Sequence, residues 1–186
     1  MIGYALCGSF CTFKESFEVL KKLKEKQYDI IPIMSFNAYS TDTRFGNHDE
    51  WAEKIESLCG HEIINTIKDA EPLGPKISLE ALIIAPCTGN TLAKLANGIT
   101  DTPVCMAAKA HLRSDRPLII ALASNDAMSA NLGNLAKLLN RKNVNFVPMR
   151  QDETIKKPHS LVADFSLTEK TLDDALSGVQ TRKLFL

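Results

Sequence analysis

The segment Leu82 to Val104, LIIAPCTGNTLAKLANGITDTPV, restricts the fold more than any other part of the chain. Leu82-Ile83-Ile84-Ala85 reads as a buried strand. It breaks at Pro86-Cys87-Thr88-Gly89, and a helix opens at Asn90-Thr91. A strand tip that runs through small, hydroxyl-bearing residues into a helix N-terminus builds an anion site. The first N–H groups of the helix have no partner within it, and the positive end of its dipole points the same way.

The remaining segments alternate in the same manner, which predicts an α/β fold around a parallel sheet. Ile2 to Leu6 and Asp29 to Met34 read as strands, with an amphipathic helix over Lys14 to Lys26 between them. Phe13, Phe17 and Leu20 on that helix belong to the core. Asn47 to Leu58 is expected as a helix, with Asn47 as N-cap, Glu50 at N3 and Gly60 just past the end. A short strand at Glu62 to Ile64 precedes a loop, Asn65 to Lys76, containing Pro72, Gly74 and Pro75. Pro103 suits the first position of a helix reaching His111. Leu118 to Ala123 is a core strand, followed by a helix over 130–141 and an edge strand at Asn145 to Pro148. Ser166 and Glu169 form a capping box for a last helix ending at Gly178. No linker or repeat divides the 186 residues, so one domain over 1–186 is expected.

Composition excludes several classes. Lys+Arg and Asp+Glu each total 22, which argues against a general nucleic-acid binder. No apolar stretch approaches the roughly 20 residues of a membrane span. The five cysteines form no ladder, and Cys7 and Cys11 have no second pair with which to hold a metal. A cytoplasmic protein with reduced thiols is expected.

Four strand tips gather small or polar residues: Gly8-Ser9, Ser35, Pro86 to Thr91, and Ser124-Asn125. In an open parallel sheet such tips share one edge, where ligands bind. Gly8 lacks the partners of a G-x-G-x-x-G fingerprint, and there is no G-x-x-x-x-G-K-[ST] loop. From the residues alone the ligand is a phosphate-bearing cofactor or a carboxylate.

Ala85 to Asp101 resembles the flavin-binding loop and helix of the flavin-dependent cysteine decarboxylase family. The positions in register are Pro86, Thr88, Asn90, Thr91, Lys94, Ala96, Gly98 and Asp101. A second family element is partly matched at Ala123 to Ser129. Asn125 and Met128 fit, while Ser124 and Ser129 replace a methionine and a tryptophan. The resemblance implies a flavodoxin- or Rossmann-like, three-layer, doubly wound sheet that binds FMN in a homotrimer or a multiple of trimers. It also implies cofactor-binding roles for Gly8, Ser9, Ser35, Pro86, Thr88, Gly89, Asn90, Thr91, Ser124 and Asn125.

A narrower resemblance spans residues 1 to about 180. Thr43-Arg44-Phe45-Gly46, Ala70 to Lys76, Pro86 to Thr91, Met106 to Arg113, Ser124-Asn125-Asp126 and Phe146 to Asp152 carry it. They are similar to flavoprotein subunits of sporulating bacteria that act in the mother cell with a second subunit. That partner binds NADP, and the pair makes pyridine-2,6-dicarboxylate from a dihydropyridine-type dicarboxylate. The resemblance implies an oxidoreductase subunit, with an FMN-dependent decarboxylase or a non-catalytic stabilising subunit as alternatives. The family's catalytic histidine falls on Pro72, and the nearest upstream histidine, His61, lies in the wrong loop, which weakens the decarboxylase alternative. A prenyltransferase would need a basic pocket that no basic cluster marks. The candidate catalytic residues are Asn125 and Arg44, either of which could grip a carboxylate, and Cys87, whose thiol a helix N-terminus would activate.

Overall fold

The protein is described from a computed structural model, covering residues 1–74 and 76–186. Pro75, expected within the loop after residue 65, lies outside the described residues. Strands β1 (Ile2–Leu6), β2 (Ile30–Met34), β3 (Leu82–Cys87), β4 (Leu118–Ser124) and β5 (Val144–Phe146) are parallel. They stand in the order β2-β1-β3-β4-β5. The order reverses between β1 and β3, so the crevice outside the carboxyl ends of those two strands is where a ligand is expected in such a sheet.

Helices cover both faces. Ile83, Ala85, Ile119 and Ala121 point toward α1 (Phe13–Glu25), α3 (His48–Cys59) and α8 (Thr168–Leu176). Leu82, Ile84, Leu118, Ile120 and Leu122 point the other way. There they pack with α4 (Ile67–Ala70), α5 (Gly89–Asn97), α6 (Pro103–Leu112) and α7 (Leu132–Leu139). Alternate residues of the central strands therefore feed two separate cores, which explains why these strands read as unbroken apolar runs. The fold is the three-layer, doubly wound α/β arrangement expected from the sequence.

Capping accounts for the ends of α3, α5 and α6. The Asn47 side chain accepts from Asp49 N–H, and Gly60 closes α3 at φ 75°. Thr102 caps α6, whose first residue is Pro103, and Gly98 closes α5 at φ 71°. A short helix, α2 (Phe36–Ser40), follows β2, with Ser35 as its N-cap.

Four local expectations are corrected. The segment at 62–64 forms a single bridge, Ile33 to Ile64, and α4 lies inside the expected loop. The helix expected over 130–141 is shortened to α7 because residues 125–131 are held in turns by the side chain and carbonyl of Asp126. Ser166 is not a cap: Asp164 caps a 3₁₀ turn, Phe165–Leu167, that leads into α8, and Glu169 bonds Lys26 instead. The sheet also does not end at an edge strand near residue 148. β6 (Met149–Arg150) and β7 (Leu161–Ala163) form an antiparallel hairpin, and β7 pairs with Ala123 and Ser124 of β4. The tip of β4 is thus hydrogen-bonded to β7 and its lower half to β5. This brings the loop before β7, residues 151–160, to the carboxyl edge of the sheet.

Candidate functional site

Two anchors set the position of the β3 tip. The buried Ser16 hydroxyl of α1 donates to Ala85 O at 2.5 Å, and Cys7 N–H donates to Pro86 O at 3.1 Å. Pro86 cannot extend the hydrogen-bond ladder, and β3 changes register against β4 between Ile84 and Cys87. The chain then turns through Thr88, whose hydroxyl caps α5 by accepting from Thr91 N–H at 3.3 Å. The same hydroxyl donates to Thr91 Oγ1 at 3.2 Å, and that oxygen donates to the Cys7 thiol at 3.3 Å. Leu92 N–H reaches Thr88 O. Gly89 and Asn90 are the first two residues of the helix, so their N–H groups have no acceptor within it.

These groups face a cleft of about 380 Å³ lined by Gly8, Ser35, Phe36, Asn37, Thr88, Asn90, Thr91, Lys94, Asp101 and Thr102. It lies across the β1/β3 switch point. Lys94 is bound by both carboxylate oxygens of Asp101, at 2.8 and 3.0 Å, so much of its charge is offset. The attraction for an anion therefore comes mainly from the α5 N-terminus. This donor set, hydroxyls and amides around a helix start with one restrained lysine, fits a phosphate monoester such as that of FMN.

Five of the expected cofactor residues, Gly8, Ser35, Thr88, Asn90 and Thr91, line this cleft. Pro86 and Gly89 adjoin these residues in the chain without lining the cleft, and the Cβ side of Gly89 faces Ser124 and Asp126. Ser9 turns the chain beside the cleft, its carbonyl accepting from Thr12 N–H and Oγ1. Ser124 and Asn125 sit on the neighbouring β4 loop, with Asn125 exposed. Arg44 is elsewhere in contact: it stacks over Phe45 at 4.8 Å on an exposed turn closed by paired bonds between Thr43 and Gly46. Phe36, Asn37 and Thr102 carry no signal in the sequence; only the fold brings α2 and the α6 start to this cleft.

The activated-thiol expectation for Cys87 is corrected. Its side chain is fully buried, and burial, followed by the neighbouring Cys7 and Cys105, pushes the thiol well above its ordinary value. Burial likewise pushes Cys7 up to about 12.

The histidines separate clearly. His61 bonds Asp29 at 2.7 Å, and His111 bonds Pro117 O at 2.9 Å; both partners precede strands, at the amino edge opposite the cleft. His48 is held by Asp42 and Asp49, and the Asp42 hydrogen bond raises its pKa. His159 lies in the loop before β7, and its carbonyl accepts from Met128 N–H at 2.9 Å. It is therefore placed beside the β4 loop, which the sequence does not reveal because the β6–β7 hairpin is not legible there.

The fold, the switch-point cleft and the hydroxyl-rich helix start define a flavin-type α/β protein. The chain belongs to the Flavoprotein family, whose model matches residues 1–171. It is 44% identical over 185 residues to the dipicolinate synthase B subunit of Bacillus subtilis, covering 100% of this chain and 92% of that protein. The crystal structure of the corresponding dipicolinate synthase polypeptide from Bacillus halodurans superposes with a TM-score of 0.91 at 38% identity, covering 100% of this chain and 95% of the other. The FMN-dependent cysteine decarboxylase SpaF shares the fold, with a TM-score of 0.70 at 24% identity over 94% of this chain and 95% of the other. Among the described residues no helix is long and apolar enough to cross a membrane.

Proposed function

We propose that this chain is the FMN-binding B subunit of a dipicolinate synthase. It works in the cytoplasm of a sporulating mother cell with an NADP-binding A subunit. The observation that carries the reading is the open N-terminus of α5 at the β1/β3 switch point, with Thr88, Asn90 and Thr91 lining the cleft. Full-length likeness to the Bacillus subtilis protein supports the particular reaction.

In this reading the N–H groups of Gly89 and Asn90 and the Thr88 hydroxyl hold the flavin phosphate, and Ser35, Asn37 and Gly8 form the facing wall. FMN, when bound, supplies a two-electron acceptor for hydride. Aromatising a dihydropyridine dicarboxylate removes one hydride and one proton, and the nicotinamide of the A subunit would supply the hydride acceptor. Asn125 donates its amide to a substrate carboxylate from the β4 loop. Arg44 would reach the second carboxylate only from a neighbouring copy of the chain, since its turn stands apart from the cleft. His159 is assigned the proton, because its loop rests on the β4 loop.

Phe36, on the wall of the cleft, is 47% exposed, which supports completion of the site by a second copy in a trimer-based assembly. A decarboxylase reading fits less well. Pro72 occupies the turn where that chemistry needs a histidine, and His61 is engaged at the opposite edge of the sheet. Combining the purified chain with an A subunit, NADP and a dihydrodipicolinate-type substrate tests the reading. Product that requires this chain supports it; equal product without the chain overturns it.

A further inference from the structure

The β4 loop is held by a continuous chain of side chains that runs along α5. Lys137 Nζ donates to Asn97 Oδ1 at 2.9 Å, and Asn97 Nδ2 donates to Asn134 Oδ1 at 3.1 Å. Asn134 Nδ2 donates to Asn131 Oδ1 at 3.0 Å, and Asn131 Nδ2 donates to Asp126 Oδ2 at 2.9 Å. Ser124 Oγ donates to the other carboxylate oxygen, Asp126 Oδ1, at 2.5 Å. Asn97 is the last residue of α5, whereas Asp126 lies against Gly89, its first. A Cβ built on Gly89 would fall 2.7 Å from Asp126 Oδ1 and 2.5 Å from Ser124 Oγ.

The two ends of this chain fix the orientation of every amide in it. Lys137 can only donate, so Asn97 must accept with its oxygen and pass on its N–H; an ionised Asp126 can only accept. Asn97 Nδ2 also donates to Ala93 O, an acceptor only, which requires the same orientation. Each amide therefore points its positive end toward Asp126, parallel to the dipole of α5 itself. The Ser124 hydroxyl, followed by Asn131, holds the Asp126 carboxyl below its ordinary range. With both oxygens engaged, Asp126 is a poor proton acceptor but a firm anchor. Its carbonyl also accepts from the N–H groups of Ser129 and Asn131, both at 3.1 Å, closing the loop that carries Asn125. Ser124 stands where the resembled decarboxylases place a methionine, so this departure supplies the hydroxyl that Asp126 uses.

We infer that Asp126 is a positioning residue, locked by the Asn131–Asn134–Asn97–Lys137 chain, that holds Asn125 at a fixed distance from the anion-binding start of α5. The inference rests on the site proposed above for Asn125, but its first test does not depend on activity. Backbone hydrogen exchange on the protein without flavin is compared for the wild type, Asp126→Asn and Asn134→Leu. Asp126→Asn keeps the shape but replaces two charge-assisted bonds with weaker neutral ones; Asn134→Leu cuts the chain away from the site. Exchange over residues 123–131 should rise about tenfold in both, with strands β1 and β2 unchanged. Asn97→Ala, at an exposed position, serves the same purpose should Asn134→Leu fold poorly.

In the assembled synthase the same variants should lower kcat about tenfold, with KM and the FMN dissociation constant within about twofold of the wild type. Wild-type exchange over 123–131 in both Asp126→Asn and a chain-cutting variant would overturn the inference. So would faster exchange with an unaltered kcat. A wild-type assembly that makes no dipicolinate would remove the proposed reaction alone, leaving the exchange result to decide the role of the chain.

Discussion

The loops after β3 and after β4 are neighbours at one edge of the sheet, yet they use their polar groups in opposite ways. The β3 loop caps α5 with a single hydroxyl and leaves the N–H groups of Gly89 and Asn90 without an acceptor in the helix. The β4 loop engages Ser124, Asp126 and Asn131 with one another and leaves Asn125 exposed. Unspent donors make the first loop a place to bind an anion. Mutual satisfaction makes the second a rigid mount for a single side chain. A site of this kind needs both, because positioning requires a fixed frame as well as a vacant set of donors.

The largest effect should come from placing charge on the β3 loop. Asn90→Asp is expected to leave the fold intact, since an acidic residue suits a helix start. It should nevertheless weaken FMN by about 100-fold, or about 2.7 kcal/mol, read by flavin fluorescence titration. Unchanged affinity would remove the distinction between the loops. Asn125→Ala tests the β4 loop: turnover should fall about tenfold, or about 1.4 kcal/mol, while FMN affinity stays within about twofold. A loss of flavin affinity instead would move Asn125 into the cofactor cleft.

Thiol labelling sharpens the contrast less strongly. Cys87 and Cys7 are sealed beneath the β3 loop, whereas Cys11 is the exposed thiol of the five. One thiol should react quickly with a disulfide reagent in the native protein, and peptide mapping should place it at Cys11. Rapid labelling of Cys87 would mean that the β3 loop opens.

The smallest effect concerns acid. Asp126 is held below its ordinary value, first by the Ser124 hydrogen bond. Its contribution to stability is therefore complete above the unfolded value, near pH 3.9, and is lost as pH falls through the depressed folded value. The Asp126 carboxyl carbon shift should titrate below that of an exposed aspartate, and Asn134→Leu should move the midpoint back up.

Legibility in the sequence follows the range of each interaction. The strands β1 to β4 and the helices α1, α3, α5 and α6 can be read because apolar spacing, Asn47, Gly60, Gly98 and Pro103 act within a few residues. The hairpin β6–β7 cannot: its strands hold two and three residues, and their pairing depends on a β4 edge distant in sequence. Ser166 reads as a cap, but Asp164, two residues earlier, captures Ser166 N–H itself. The anion loop is legible because strand, hydroxyls and helix start are contiguous from Leu82 to Thr91. The role of Asp126 is not: Asn131 and Asn134 are near it in sequence, but the links through Asn97 to Lys137 form only when α5 packs on α7. His159 is hidden for the same reason as the hairpin that carries it.

A crystal structure of the protein with FMN would show directly whether the start of α5 holds the flavin phosphate. Phosphate oxygens are expected within about 3 Å of the Gly89 and Asn90 N–H groups and the Thr88 hydroxyl. Flavin density with the phosphate away from the start of α5, or a protein that takes up no FMN at saturating concentration, would contradict it.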